Sequence, residues 1–209
     1  MAKKDDLVGR IVEREWDMFQ NVENAGGKAS CQQDYQTFEI MRHSQAMSWS
    51  EETLESYLED LQNARKDKRN LLTEKYARMM ESTAPLEHAR IESLLPPLDP
   101  EVPEIVDRIV TILIDWEEEV IEKYPYVASR GRPLRTTEDT PYATSIETYL
   151  RGELSTYSPR TLKLYLENVL RQKAEKVNGS EVIHTNTVKR YGYKSLDDAN
   201  EKIKSRTSR

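Results

Sequence analysis

The chain has 209 residues, enough for one ordinary domain with a buried core, and a second independent core is not expected. Its 37 acidic and 31 basic side chains give a formal charge of -6. This charge argues against nucleic-acid binding by the surface as a whole, because phosphate backbones attract clustered Lys and Arg. Seven glycines among so many charged residues argue against a glycine-rich nucleotide fold or an all-β sandwich, and they favour helices.

No segment of the sequence has the pattern of a leader or a membrane anchor. A charged stretch follows Met1, and the longest near-continuous apolar stretch, 109–116, is far short of the roughly 20 residues of a membrane span. The single cysteine, Cys31, cannot form an internal disulfide. These features predict a cytoplasmic protein that neither crosses a membrane nor binds nucleic acid.

The N-terminal part of the chain has the pattern of two amphipathic helices. Apolar residues at three- and four-residue spacing predict the first helix over 5–23, ended by the glycine pair at 26–27. Ser30 with Gln33 three residues later has the capping-box pattern, in which side chains satisfy the free N–H groups of a first turn. It predicts a second helix from Ser30 to about residue 47.

Further helices are predicted in the middle of the chain. Ser50 is expected to cap a helical segment over 51–81 that bends or breaks at the charged run 66–69, and Pro85 to start a short helix that ends before Pro96. The most apolar helix is predicted over 102–121. Because its apolar residues cover more than one face, we place it at the centre of the bundle.

The periodicity disappears over 124–143, a length that is uncommon for a plain loop and typical of lids and binding loops. Arginine side chains suit carboxylates and phosphates, so the loop is a candidate lid over an anionic metabolite, and solubilising charge is the alternative. The arginines concerned are Arg130, Arg132 and Arg135.

Helical patterns return after the loop, over 145–154 and over 160–173, the latter with Ser158 as its cap. The stretch 182–193 has β-propensity, which leaves one short hairpin open near 180–190. A last helix is expected after Ser195.

The expected fold is a single all-α domain over 1–209. It comprises six to eight helices around the central helix at 102–121, with flexible tails at about 1–4 and 204–209.

Polar side chains interrupt the apolar stripes of four predicted segments. Burying an unpaired charge costs on the order of several kcal/mol, so these groups are expected to contact one another or a ligand. They are Glu15; Asp34, Arg42 and Gln45; Arg69, Asn70 and Lys75 beside Tyr76; and Arg151 and Glu153 between Tyr149 and Tyr157.

Two interpretations of these groups stay open. In one, the carboxylates pair with the arginines as a static network that fixes helix register. In the other, they line a polar pocket, where apolar surroundings raise the pKa of Glu15 or Glu153 toward the range of a general acid or base. Arg42 and Arg151 would then hold the substrate, and Tyr149 and Tyr157 would orient it.

Cys31 is a separate candidate. If Ser30 caps the second helix, Cys31 is its first residue, where the helix dipole stabilises a thiolate. The alternative is a small buried apolar side chain. Catalytic roles are thus predicted for Glu15, Cys31 and Glu153.

Metal ligands are not assigned. The three histidines, at positions 43, 88 and 184, lack the spacing of a metal site on a predicted helix, although an all-carboxylate Mg²⁺ site stays open. The identity of any cofactor is unknown at this point.

Strings over nearly the whole chain resemble a bacterial family, the domain of unknown function numbered 4125. They are Glu15-Trp16 with Phe19; Gly26-Gly27 through Cys31-Gln32-Gln33-Asp34; Phe38-Glu39-Ile40-Met41-Arg42 with Ser44-Gln45; Arg69-Asn70 through Lys75-Tyr76; Glu147-Thr148-Tyr149 with Arg151-Gly152-Glu153-Leu154; Thr156-Tyr157-Ser158; and Tyr191-Gly192-Tyr193. Lys28 stands where the family pattern suggests Arg. The resemblance implies a stand-alone bacterial protein and assigns no activity, cofactor or catalytic residue.

The preferred hypothesis is an enzyme of small-molecule metabolism that acts on a polar anionic or amino-acid-like substrate by acid/base chemistry. The residues expected to bind the substrate are Asp34, Arg42, Gln45, Arg69, Tyr76, Tyr149, Arg151 and Tyr157. One alternative is a noncatalytic helical protein that docks a protein partner through its acidic face or basic tail. The other is a ligand sensor that uses the same pocket without proton transfer.

Overall fold

A computed structural model describes residues 2–23, 27–128 and 131–207 of the chain. Within these ranges the chain forms eleven α-helices, three 3₁₀ turns and no strand, which confirms the all-α class and exceeds the expected six to eight helices. The helices are α1 Ala2–Gln20, α2 Tyr35–Ala46, α3 Glu51–Lys66, α4 Leu71–Thr83, α5 Pro85–Ile91, α6 Val102–Lys123, α7 Pro125–Ala128, α8 Ile146–Leu154, α9 Pro159–Ala174, α10 Gly179–Arg190 and α11 Leu196–Thr207.

Side-chain caps define several helix starts. The hydroxyls of Ser50, Ser145 and Ser158 accept hydrogen bonds from backbone N–H groups in the first turns of α3, α8 and α9. The caps at Ser50 and Ser158 were predicted. The prediction for α2 is wrong, because Ser30–Gln33 forms a 3₁₀ turn and Asp34 is the cap. The Asp34 carboxylate accepts from the N–H of Thr37 at 3.0 Å.

The predicted interruption at 66–69 separates α3 from α4. Lys68 there has a positive φ of 55°, which ends a helix because the chain leaves the right-handed region. Asn70 then caps α4, its side-chain oxygen accepting from the N–H groups of Leu72 and Thr73. α4 therefore starts in a new direction and packs against α8.

The hairpin prediction near 180–190 is wrong, because this segment is the helix α10. The side chain of Asn178 caps α10 by accepting from the N–H of Glu181. α10 packs against α2 and α6 and buries Val188. These tertiary contacts and the cap override the local β-propensity of Val182 and Ile183.

The central position predicted for α6 is not supported. α6 buries one side, including Ile109 and Val110, against α8, α9 and α10. Its other side is exposed and carries Glu104, Asp107 and Asp115. α6 is therefore a wall of the bundle with an acidic outer face.

Parts of the predicted loop 124–143 have structure. Besides α7 it contains a 3₁₀ turn at Thr136–Glu138. The carboxylate of Asp139 accepts hydrogen bonds from the Ser82 hydroxyl at 2.5 Å and from the Thr148 hydroxyl at 2.6 Å. Gly26 and Arg130, which figured in the predictions, lie outside the described residues.

The chain ends expected to be flexible are helical where they are described, since α1 starts at Ala2 and α11 continues to Thr207. None of the described helices is both long and apolar enough to span a membrane.

One set of helix contacts positions the polar groups of interest. α1 packs against α2, α3 and α4, and α4 packs against α8. The approach of α4 to α8 depends on Gly152, where an added Cβ would lie 2.6 Å from Met79 Cγ and 3.0 Å from the Lys75 carbonyl oxygen. The inner faces of α1, α2, α4 and α8 therefore bring their polar residues together.

Candidate functional site

Four charged side chains from four helices meet in the interior: Glu15 on α1, Arg42 on α2, Lys75 on α4 and Glu153 on α8. Their exposed fractions are 1% for Glu15, 11% for Arg42, 6% for Lys75 and 3% for Glu153. We call this group the ion-pair network. It contains two cations and two carboxylates, so its formal charges balance.

Arg42 is the hub of the ion-pair network. It contacts Glu15 with two nitrogens, Nε donating to Oε2 at 2.8 Å and Nη2 to Oε1. Its Nη1 donates to the Gln45 side-chain oxygen at 2.8 Å and to both carboxylate oxygens of Glu153 at 3.0 and 3.1 Å. Such forked contacts fix both charge and orientation, so Arg42 connects α1 to α8.

The Glu153 carboxylate accepts from several donors besides Arg42. Lys75 Nζ donates to its Oε2 at 2.5 Å, and the Gln45 amide and the Tyr157 hydroxyl donate to its Oε1 at 3.0 and 2.8 Å. The Tyr57 hydroxyl on α3 donates to Glu15 Oε1 at 2.7 Å. Both buried carboxylates thus have neutral as well as charged donors.

The surroundings of Glu153 lower its pKa instead of raising it. Burial alone raises the pKa, but the positive charges of Arg42 and Lys75 and the hydrogen bonds from Lys75 and Tyr157 outweigh burial. The pKa of Glu153 therefore lies well below its usual value, and the carboxylate stays ionised. The pKa rise predicted for an acid/base role does not occur at this residue.

The two tyrosines that face the carboxylates stay protonated. Burial raises the pKa of Tyr57, and the nearby charge of Glu15 raises it further. Burial and the charge of Glu153 raise the pKa of Tyr157 in the same way. Both hydroxyls therefore act as hydrogen-bond donors to the network.

One edge of the ion-pair network reaches half-buried aromatic side chains. The Lys75 Nζ atom lies 3.5 Å from the centroid of the Tyr149 ring, and the Arg132 Cζ atom lies 4.9 Å from the same centroid. Tyr76 is close by: burial is the largest cause of its raised pKa, followed by the charges of Tyr149 and of Cys31. We call Tyr76, Tyr149, Lys75 and Arg132 the open edge.

The hydroxyls of the open edge differ from those inside the network. Across residues 2–23, 27–128 and 131–207, neither Tyr76 nor Tyr149 uses its hydroxyl in a hydrogen bond, and both residues are partly accessible to solvent. The thiol of Cys31, whose charge is among the causes of the raised pKa of Tyr76, is free and exposed. Cys31 lies in the 3₁₀ turn before Asp34, so the predicted location at the first position of α2 is wrong.

Three residues predicted to belong to the site lie outside it. Asp34 serves as the cap of α2. The guanidinium of Arg69, whose side chain is 40% exposed, donates to the carboxylate of Glu74. Arg151 points away from Glu153, which follows it by two residues, because side chains two positions apart in a helix do not face each other.

Arg151 instead donates to the carboxylates of Glu147 and Asp107 at the surface. Its Nε and Nη2 atoms lie 3.2 and 3.1 Å from Glu147 Oε1.

The structure brings together the other predicted residues Glu15, Arg42, Gln45, Glu153 and Tyr157, with Tyr76 and Tyr149 at the open edge.

Two side chains that bind the buried carboxylates, those of Lys75 and Tyr57, were not predicted as site residues. Lys75 interrupts an apolar face in the sequence, so its location was a usable signal. Tyr57 gave none, because a tyrosine at an apolar position of a helix has the same pattern whether its hydroxyl binds a carboxylate or water.

Two surface depressions of the structure lie away from the ion-pair network. One depression runs between α1 and α3, near Lys3 and Arg10, and another lies near Arg160 and Lys163. No network residue lines either of them. In the described ranges, no three His, Cys, Asp or Glu side chains are grouped as a metal site would need.

Comparisons with known proteins identify the family. Residues 5–201 match the family described as "Protein of unknown function (DUF4125)", so the chain belongs to that family, as the resemblance indicated. A comparison with curated proteins and a comparison with solved structures each found no match.

Proposed function

We propose that this protein binds a small organic anion at the open edge of the ion-pair network. The observation that carries the proposal is an excess of hydrogen-bond donors at that edge. Inside the network, the oxygens of Glu15 and Glu153 already accept from Arg42, Lys75 and tyrosine hydroxyls. A ligand that binds beside them must therefore bring acceptors, and an anion does so.

The excess is visible at individual atoms. The ammonium group of Lys75 has three N–H donors, and the bond to Glu153 uses one of them. The hydroxyls of Tyr76 and Tyr149 add further donors. Glu15 and Glu153 keep Arg42 and Lys75 in place, which pre-organises the cations for a ligand.

An enzyme that acts on the same anion is the second candidate. The free, exposed thiol of Cys31 favours it, because a thiol is a nucleophile and the charge of Cys31 acts on Tyr76 of the open edge. In this version Glu153 is a positioning residue and moves no proton, since its carboxylate is held ionised. A lone exposed thiol also fits a reducing compartment, so we place the protein in the cytoplasm.

The test begins with native mass spectrometry of freshly purified protein, which detects any retained small molecule. Titration calorimetry with acetate, benzoate, glutamate and inorganic phosphate then measures affinity directly. The Tyr76→Phe/Tyr149→Phe double variant keeps both rings and loses both hydroxyls, so it should bind the best anion at least about tenfold more weakly.

The matched control is Tyr191→Phe, which removes an exposed hydroxyl at the end of α10 and should leave binding unchanged. Absence of binding by every anion in wild-type protein, or equal binding by the double variant and wild type, contradicts the proposal. Consumption of the bound anion that stops in Cys31→Ala would distinguish the enzyme from a binding protein.

A further inference from the structure

We infer that residues 131–144 form a lid over Lys75 at the open edge, and that the hydrogen bond between Ser82 and Asp139 keeps this lid shut. The inference deepens the proposed function, on which its role rests, by stating how a ligand reaches the open edge. Three observations lead to it: the cover over Lys75, the polar attachment of the lid, and the hydrogen bonds that the lid makes within itself.

The first observation is that Lys75 is covered in this structure. Its side chain is 6% exposed. The Tyr149 ring lies against its ammonium group, with 3.5 Å between Nζ and the ring centroid, and the Cζ atom of Arg132, which belongs to the lid, lies 4.9 Å from the same centroid. An anion can therefore bond to Lys75 only after this cover has moved aside.

The second observation is that polar contacts, and no fully buried side chain, hold the lid in place. No residue from 131 to 144 is buried, and all of them are described. Asp139 of the lid accepts from the Ser82 hydroxyl on α4 at 2.5 Å and from the Thr148 hydroxyl on α8 at 2.6 Å. The lid thus spans the seam between α4 and α8, where Lys75 lies. Segments with few buried apolar contacts open at a low cost in free energy.

The lid is attached differently on its two sides. The first turn of α8 donates two backbone N–H groups to it, those of Ile146 and Glu147, at 2.8 and 3.1 Å. On the α4 side the lid is tied by the Ser82 hydroxyl, and Arg135 forms an exposed ion pair with Glu118 of α6. Exposed ion pairs contribute little to stability. The α8 side is therefore the hinge of the lid, and the bond to Ser82 is its latch.

The third observation is that the lid completes hydrogen bonds within itself. The Glu138 carboxylate accepts from the N–H groups of Leu134 and Arg135 at 3.1 and 2.9 Å. Thr140 and Ala143 exchange two backbone hydrogen bonds, of 2.9 and 3.2 Å. Backbone N–H groups that are paired inside the lid stay paired when the lid moves, so it can open without unfolding.

The experiment measures access to Lys75 without any ligand. Full-length protein is acetylated briefly with the acetyl ester of N-hydroxysuccinimide, and peptide mass spectrometry gives the rate at Lys75 relative to the rate at the exposed Lys176. In wild-type protein we expect Lys75 to react slowly. Ser82→Ala and Asp139→Asn should each raise this relative rate at least about fivefold, because each weakens the charge-assisted bond that keeps the lid shut.

Two controls separate opening of the lid from unfolding of the protein. Asp198→Asn removes the charge of another surface carboxylate, which accepts from the Lys194 N–H at 3.0 Å, and should leave the rate at Lys75 unchanged. Hydrogen exchange at the buried Val169 of α9 should be the same in wild type and in all three variants. An unchanged rate at Lys75 in both lid variants, an equal rise in Asp198→Asn, or faster exchange at Val169 in the lid variants would each overturn the inference.

The outcomes distinguish this inference from the proposed function, which the calorimetry with four anions tests. If an anion binds and Lys75 stays as protected in the lid variants as in wild type, the lid is overturned and the proposed function stands. If Lys75 becomes accessible in the lid variants and no anion binds, the lid is supported and the proposed function fails. If neither result is obtained, both fail.

Discussion

Arg42 and Glu153 lie 111 residues apart in the chain, and their side chains meet at 3.0 Å in the interior of the bundle. The same guanidinium also holds Glu15 on the first helix. One arginine thus connects three helices, and its loss would leave both carboxylates with fewer donors than a buried charge needs.

Replacing Arg42 is expected to be strongly destabilising. Arg42→Met should lower the free energy of unfolding by about 3–5 kcal/mol, because Glu15 loses its cation while it remains buried. Urea unfolding followed by circular dichroism measures the change. Arg160→Met removes an exposed contact with Glu59 and should cost less than about 1 kcal/mol. Similar losses in the two variants would show that burial of the pair has little effect on stability.

The Lys75 and Glu153 pair can be tested with a double-mutant cycle. Glu153→Gln leaves the ammonium of Lys75 without its carboxylate and should destabilise the fold by about 3 kcal/mol. The Lys75→Met/Glu153→Gln double variant removes both charges and should be about 1–3 kcal/mol more stable than Glu153→Gln. Strict additivity of the two substitutions would contradict a direct interaction.

The lowered pKa of Glu153 predicts how its contribution varies with pH. The pKa in the folded protein lies below the usual 4.5, so the folded state favours the ionised form. The stabilisation is therefore fully present above the unfolded-state pKa and is lost as the pH falls through the folded-state pKa. The stability difference between wild type and Glu153→Gln should shrink between about pH 6 and about pH 3 in urea titrations. A difference that grows toward acid would reverse the sign assigned to Glu153.

Gly152 and Gly9 form a matched pair for testing the helix contact. In Gly152→Ala the new methyl group meets Met79 and the Lys75 carbonyl oxygen, so α8 should move from α4 at a cost of about 1–3 kcal/mol. In Gly9→Ala the methyl group meets nothing within 4 Å. The better helix propensity of alanine should therefore raise the free energy of unfolding by about 0.5–1 kcal/mol. Thermal unfolding of both variants gives the comparison, and a stable Gly152→Ala would rule out close packing there.

Local patterns predicted helices better than their ends or partners. Ser50 and Ser158 were identifiable as caps because the capping bond spans only three residues. Ser30 was misleading because Asp34, a competing cap only four residues later, starts α2 instead. The hairpin was predicted from side-chain propensity, and the packing of α10 on α2 and α6 is a long-range effect that propensity does not contain.

The ion-pair network was predictable only in part, because its members show in the local pattern and their partners do not. Glu15, Arg42 and Glu153 stood out because charges interrupted apolar stripes. The sequence did not show which charges would pair, so Arg151 was expected inside and lies at the surface. The pKa of Glu153 was predicted to rise because its two cations were not yet placed next to it, and their Coulomb attraction decides the sign.

The location of Lys75 and Glu153 in the chain also affects the order of events during synthesis. Glu153 follows Lys75 by 78 residues, so the ribosome releases α1, α2 and α4 well before α8. Until Glu153 emerges, the Lys75 ammonium has no carboxylate to be buried with and is more stable in water. The N-terminal half of this bundle therefore cannot complete its core during translation until the segment around Glu153 has left the exit tunnel.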